Sequence, residues 1–170
     1  MQPMVFEVKI KVKDMYAYLM YHAYKGSGMI GILLSLIAAV MAFTVDRNAN
    51  DGRFVILVFV ALLFTVIQPV MLFFKALQQI AGNPFFQKPL TYTFTEEEFI
   101  TSQKETSLSV SYDDIWNIKI FKKRIFIYTG RLVASIFPLR DINQEEKDRL
   151  LAFLNEKKEE KRKRKDEERK

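Results

Sequence analysis

Two uncharged apolar runs constrain this chain more than anything else in it: GMIGILLSLIAAVMAFTV over residues 28–45 and FVILVFVALLFTVIQPVMLFF over residues 54–74. As α-helices they would measure roughly 27 and 31 Å, close to the hydrocarbon thickness of a bilayer. Two such runs in a chain of 170 residues read as transmembrane helices rather than as core helices. A cleaved leader does not fit, because 27 patterned residues precede the first run and a second run follows it. The eight residues between them, DRNANDGR, permit only a tight connection. The spans should therefore form an antiparallel hairpin with both termini on one side. Lys9, Lys11, Lys13 and Lys25 precede the hairpin and Lys75 and Lys88 follow it, against Arg47 and Arg53 in the loop. That bias places both termini in the cytoplasm.

Within the second run stand an amide, Gln68, and a proline, Pro69. Ala61, Thr65 and Gln68 share one helical face, and Ser27, Gly31, Ser35 and Ala39 form a ladder of small residues at four-residue intervals, the spacing that lets helix backbones approach closely. The two faces are expected to pack together. Pro69 cannot donate to the Thr65 carbonyl, so Gln68 is expected to hydrogen-bond Ser35 or that carbonyl and to lock a kinked hairpin. Two spans enclose no pathway unless chains oligomerise, and neither run holds a charge of the kind that marks ion routes.

The flanking segments follow a different period. MVFEVKIKV alternates Met4, Phe6, Val8, Ile10 and Val12 with polar residues, as a half-buried strand does. Asp14 is the expected N-cap of MYAYLMYHAYK, a short helix whose tyrosines suit the headgroup region. His22 belongs to that belt, with no partner pattern for catalysis. After Gly82 and Pro84 come LTYTFT, EFITS, SLSVSY, IWNIKIF, RIFIYT and LVASIF, six short strands divided by turns such as Lys122–Arg124 and Gly130–Arg131. Trp116, Ile118 and Ile120 alternate toward the core. Asn143 and Glu146 then open a helix with Ile142, Leu150, Leu151, Phe153 and Leu154 on its apolar side. Six strands and a closing helix approach a pleckstrin-homology-like fold, and the N-terminal strand would make the seventh, because the hairpin returns the chain to the same side.

The stretches PLTYTFTEEEF, SLSVSYDDIWNIKIFKKRIFIY and SIFPLRDINQEEKDRLLAFL resemble the YcxB-like family of small bacterial membrane proteins. Ile142 stands where the resemblance leads one to expect an aromatic residue. The resemblance implies the inner membrane of a bacterium and a C-terminal β domain, and it supplies no catalytic residues. The expected organisation is an N-terminal strand and interfacial helix over 1–27, a transmembrane hairpin over 28–75, a cytoplasmic YcxB-like β domain with its closing helix over 88–155, and a charged tail over 156–170. The fold class is membrane α+β, pleckstrin-homology-like in its β part.

Chemistry is sparse. There is no cysteine and one histidine, so thiol catalysis and zinc chemistry are discounted and no cofactor or metal is expected. Asp113 and Asp114 are neighbours, and neighbours on a strand point to opposite faces, so a turn is expected rather than an acid–base pair. Phosphate-cradling glycine loops are absent. The tail NEKKEEKRKRKDEERK holds nine basic and six acidic residues, with Lys161, Arg162, Lys163, Arg164 and Lys165 consecutive. It reads as a solvated mixed-charge helix extension, or alternatively, with Lys122, Lys123 and Arg124, as a contact for anionic lipid. No nucleic-acid partner is expected, since no aromatic accompanies the basic block and the net charge is only +6. The expected function is a membrane-anchored, non-enzymatic interaction or regulatory module with a protein partner. An anionic-lipid sensor is the alternative, and an oligomeric transport component ranks below both.

Overall fold

A computed structural model describes residues 3–25, 27–45, 52–104, 106–131 and 133–167. Two units result, one built from Met1–Asp14 with Ile80–Lys170 and the other from Met15–Gln79. The architecture is α+β: helices, two small antiparallel sheets and a C-terminal helix.

The first sheet is a meander of β1 (Met4–Val8), β2 (Leu90–Phe94), β3 (Glu98–Gln103) and β4 (Thr106–Ser111) in that spatial order. The alternation of β1 turns Met4, Phe6 and Val8 inward. Its register sets Met4 opposite Phe94 and Val8 opposite Leu90, so the N-terminal strand extends the sheet begun 82 residues later by the chain. The second sheet comprises β5 (Asn117–Phe121), β6 (Arg124–Tyr128) and β7 (Ala134–Pro138). Lys122 and Lys123 alone connect β5 to β6, with Phe121 paired to Arg124.

Aromatic side chains join the sheets. The Phe137 ring of β7 meets Phe6 at 5.6 Å, Phe94 at 5.4 Å and Tyr92 at 5.2 Å, each edge to face. Such pairs add about 0.5–1.5 kcal/mol beyond area burial. The Tyr92 hydroxyl donates to the Ile136 carbonyl at 3.1 Å, and burial pushes its phenol pKa far up. Helix α6 (Gln144–Glu167) closes this unit with Leu150, Phe153 and Leu154 buried. Asn143 is its N-cap, accepting from the Glu146 backbone N–H at 2.8 Å.

Two expectations are corrected here. Trp116 is 47 % exposed: the turn at 112–114 delays β5 until Asn117, and Ile115 takes the buried place instead. Asp14 is not the N-cap of α1, because that helix starts earlier, spanning Val12–Tyr24. The Asp14 carboxylate reaches back to the Lys11 backbone N–H at 2.9 Å while the Asp14 N–H donates to the Lys11 carbonyl at 2.9 Å. This is the return half of a capping box, with Lys11 in the cap position.

In the other unit, α2 spans Ser27–Thr44, and α3 (Arg53–Leu62) runs through a π-helical turn (Leu63–Ile67) into α4 (Gln68–Gly82). The expected connecting loop lies outside the described residues as far as 51. The continuous helix Arg53–Gly82 has 30 residues and is long and apolar enough to cross a membrane; a second candidate arises if α1 and α2 together make one broken span. Gly28 stands at that break, where a Cβ would overlap the Ala23 carbonyl.

Pro69 explains the π turn. The Gln68 N–H bonds the Leu63 carbonyl instead of Phe64, and Pro69 has no N–H to offer Phe64 in its place. The freed Phe64 carbonyl accepts the Tyr24 hydroxyl at 2.5 Å. Thr65 is exposed and its hydroxyl donates to the Ala61 carbonyl at 2.6 Å. The expected bond from Gln68 to Ser35 does not form. Ser35, 1 % exposed, donates to the Val60 carbonyl at 3.0 Å, and a Cβ on Gly31 would come within 2.5 Å of the Phe64 ring. These contacts set an antiparallel register that carries Gln68 past Ser35 by about two helical turns, and leaves its Oε1 buried with no partner among the described residues. Ala39 and Ala61 are half-buried. Ser35→Ala should therefore lower the thermal stability of the detergent-solubilised chain by about 1 kcal/mol, whereas Gln68→Leu should leave it unchanged or raise it. The opposite ranking would restore a locking role for Gln68.

Candidate anion-binding cleft

The basic β5–β6 turn lines a cleft of about 410 Å³ in the two-sheet unit. Lys122 and Lys123 occupy the turn, and Arg124 opens β6. From the first residues of α1 come Lys13 and Asp14; from the end of β7 and the following loop come Leu139 and Arg140; from the first turn of α6 comes Lys147.

Hydrogen bonds to backbone carbonyls hold these parts in place. The Leu139 N–H donates to the Lys123 carbonyl at 3.1 Å, and Arg124 Nη1 to the Lys13 carbonyl at 3.1 Å. Arg140 makes three polar contacts: Nη1 donates to Asp14 Oδ2 at 2.5 Å, Nη2 donates to the Lys9 carbonyl at 2.5 Å, and Nε lies 3.2 Å from Asp141 Oδ2. Asp14 is 2 % exposed and committed to Arg140 and Lys11.

The lining therefore carries six cationic side chains and one carboxylate that is already neutralised. Such an array repels metal cations and draws anions. Lysine supplies movable point charges, and arginine a planar fork. No thiol, hydroxyl nucleophile or histidine lines the cleft. Of the residues singled out by sequence, Lys122, Lys123 and Arg124 meet here. Lys13, Arg140 and Lys147 were missed, because they lie in three separate segments and only the β pairing brings them together. The one available signal was the excess of lysine near the start of the chain, which reads equally well as a topology signal.

The tail residues are placed elsewhere. Helix α6 runs unbroken to Glu167, so the segment 156–167 continues the closing helix. Lys161 donates to the Asp113 carbonyl at 2.7 Å and also to the Ile115 carbonyl, and Arg164 pairs with the Asp113 carboxylate. Lys157 lies over the Tyr112 and Phe153 rings at 5.7 and 5.8 Å, and burial pushes the Tyr112 phenol far up. Leu150, Phe153, Leu154, Lys157, Lys161 and Arg164 share one face that changes from apolar to cationic and docks on the turn at 112–114. Asp113 thus anchors a helix, and Asp114 follows it in the same turn. Lys161 and Arg164 thus each hold a partner on the 112–114 turn. Arg162 and Lys163 are exposed, and the Lys165 side chain lies outside the described residues. His22 sits against the rings of Tyr18 and Tyr21 at 4.6 and 5.7 Å.

No curated protein and no solved structure matches the chain. The family model of the YcxB-like protein matches residues 94–154, a stretch that contains all of β5 to β7, the Lys122–Lys123 turn, Arg140 and Lys147. The chain thus carries a YcxB-like domain over residues 94–154.

Proposed function

We propose that this protein is a membrane-anchored, non-enzymatic interaction module whose β unit binds an anionic partner in the cytoplasm. The observation that carries the reading is the cleft: six cationic side chains from four segments around about 410 Å³, with the single carboxylate already paired. The anchor is the helical hairpin. Ile30, Leu33, Ile37 and Phe43 on α2, and Val55, Ile56 and Met71 on the longer helix, all point outward, an arrangement at home in hydrocarbon and costly in water. Four strands, three strands and a closing helix in that order support reading this unit as pleckstrin-homology-like, an architecture suited to binding that supplies no reaction by itself. Binding through the charged tail is less favoured, because Lys161 and Arg164 are already occupied.

The test compares equal changes of charge. On immobilised heparin, the full chain in zwitterionic detergent should elute at clearly lower salt as Lys122→Glu/Lys123→Glu than as Arg162→Glu/Lys163→Glu. Equal shifts would reduce the cleft to ordinary surface charge and sink the reading.

A further inference from the structure

We propose that the cleft is a binding site for a phosphomonoester group. The proposal rests on the anionic-partner reading above and narrows it to one ligand chemistry. The size of the cleft is the first ground. About 410 Å³ admits a headgroup-sized ligand, whereas an acidic peptide spreads its charges along a backbone rather than gathering them in one such volume.

Charge density is the second ground. Lys13, Lys122, Lys123 and Lys147 bring four ammonium groups to one small volume, and none of them forms a hydrogen bond among the described residues. A phosphomonoester carries close to two negative charges at neutral pH and three acceptor oxygens on one atom, so it can answer several of these groups at once. A carboxylate or a phosphodiester brings one charge. The Arg124 guanidinium spends one N–H on the Lys13 carbonyl, which orients its plane at the cleft wall.

Arg140 has a different part. Its two Nη atoms are held by Asp14 and by the Lys9 carbonyl, so it is a positioning residue that fixes the α1 side of the cleft against the α6 side. The lysines can then converge on a ligand without first paying the Asp14 carboxylate any charge.

The experiment uses the full chain in zwitterionic detergent, titrated by thermophoresis with three probes. Dioctanoyl phosphatidic acid carries a phosphomonoester on a lipid, dioctanoyl phosphatidylglycerol a phosphodiester on a lipid, and glycerol 3-phosphate a free phosphomonoester. The expected result is phosphatidic acid binding about tenfold tighter than phosphatidylglycerol at pH 7.5, with the preference lost as the pH falls below about 6 and the phosphate takes up its second proton. Lys122→Gln/Lys123→Gln, at exposed turn positions, should remove the preference while the melting temperature is retained; Lys123→Gln alone should reduce it. Glycerol 3-phosphate binding as tightly as phosphatidic acid would assign the source to a free metabolite, and much weaker binding would assign it to a headgroup. Equal binding of both lipids overturns the proposal yet leaves the anionic-partner reading standing. No binding of any probe, with heparin retention intact, overturns the phosphomonoester and leaves another anion class. Loss of heparin discrimination as well removes both readings.

Discussion

Phe137→Ala should destabilise the two-sheet unit by about 3–5 kcal/mol, the range for removing a buried phenylalanine ring. The ring is fully buried and touches Phe6, Tyr92 and Phe94 across the sheet interface, so its removal leaves a cavity bordered by both layers. A domain of this size is stable by only about 5–15 kcal/mol in all, and the loss should appear as cleavage in the β region at protease levels the native chain resists. Val133→Ala supplies the control, because Val133 is exposed in the approach to the same strand and surface truncations stay within about 0.5 kcal/mol. If both variants resist protease equally, the interface between the sheets is not where the stability of this unit lies.

The strands that meet at Phe137 are legible in the sequence. All six alternating segments after residue 88 form strands, and the N-terminal alternation predicts a strand that needs a cover for its apolar face. Period-2 patterning is a local property, so it survives in the sequence. The division into sheets of four and three strands does not, because it depends on where the chain turns at 112–114 and on which layer each strand joins. Trp116 shows the cost of reading period alone: it has the correct parity for the core but lies one residue before β5 begins, where the turn has rotated it outward.

The same distinction runs through the helices and the cleft. The apolar runs announce themselves by composition, and Pro69 announces a missing backbone hydrogen bond, but the register between antiparallel helices depends on side-chain shape. Gly31 receives the Phe64 ring, and that contact pairs Ser35 with Val60 rather than with Gln68. Counting residues from the ends of the apolar runs could not find this, because the longer helix continues to Gly82, well beyond the uncharged segment. In the cleft, the cationic turn was visible as three consecutive basic residues, whereas Lys13 and Lys147 are separated from it by more than a hundred residues and by more than twenty, and a single cation in a mixed-charge segment carries no signal. The tail is legible as an extension of the closing helix, but the facing of its cations is not. A run of five basic residues suggests a free patch, yet helical geometry turns Lys161 and Arg164 onto the face that docks while Arg162 and Lys163 turn away.

Asp14→Ala is expected to cost about 3 kcal/mol, near the lower end for breaking a buried ion pair because Arg140 keeps some contact with solvent. The carboxylate performs two tasks at once: it receives the Lys11 N–H that starts α1, and it neutralises Arg140. Alanine removes both, leaving a half-buried guanidinium with the Lys9 carbonyl and the edge contact to Asp141. Asp14→Asn separates the tasks, because its amide oxygen can still accept from Lys11 while the charge is gone; it should fall between wild type and alanine. The decisive measurement is a double-mutant cycle. Arg140→Met in the Asp14→Ala background removes the uncompensated charge, so the pair should be less damaging than the sum of the single changes by at least about 1 kcal/mol. Strict additivity in thermal or denaturant unfolding would mean that Asp14 acts through the helix start alone, and that the clasp between Arg140 and Asp14 does not hold the cleft together.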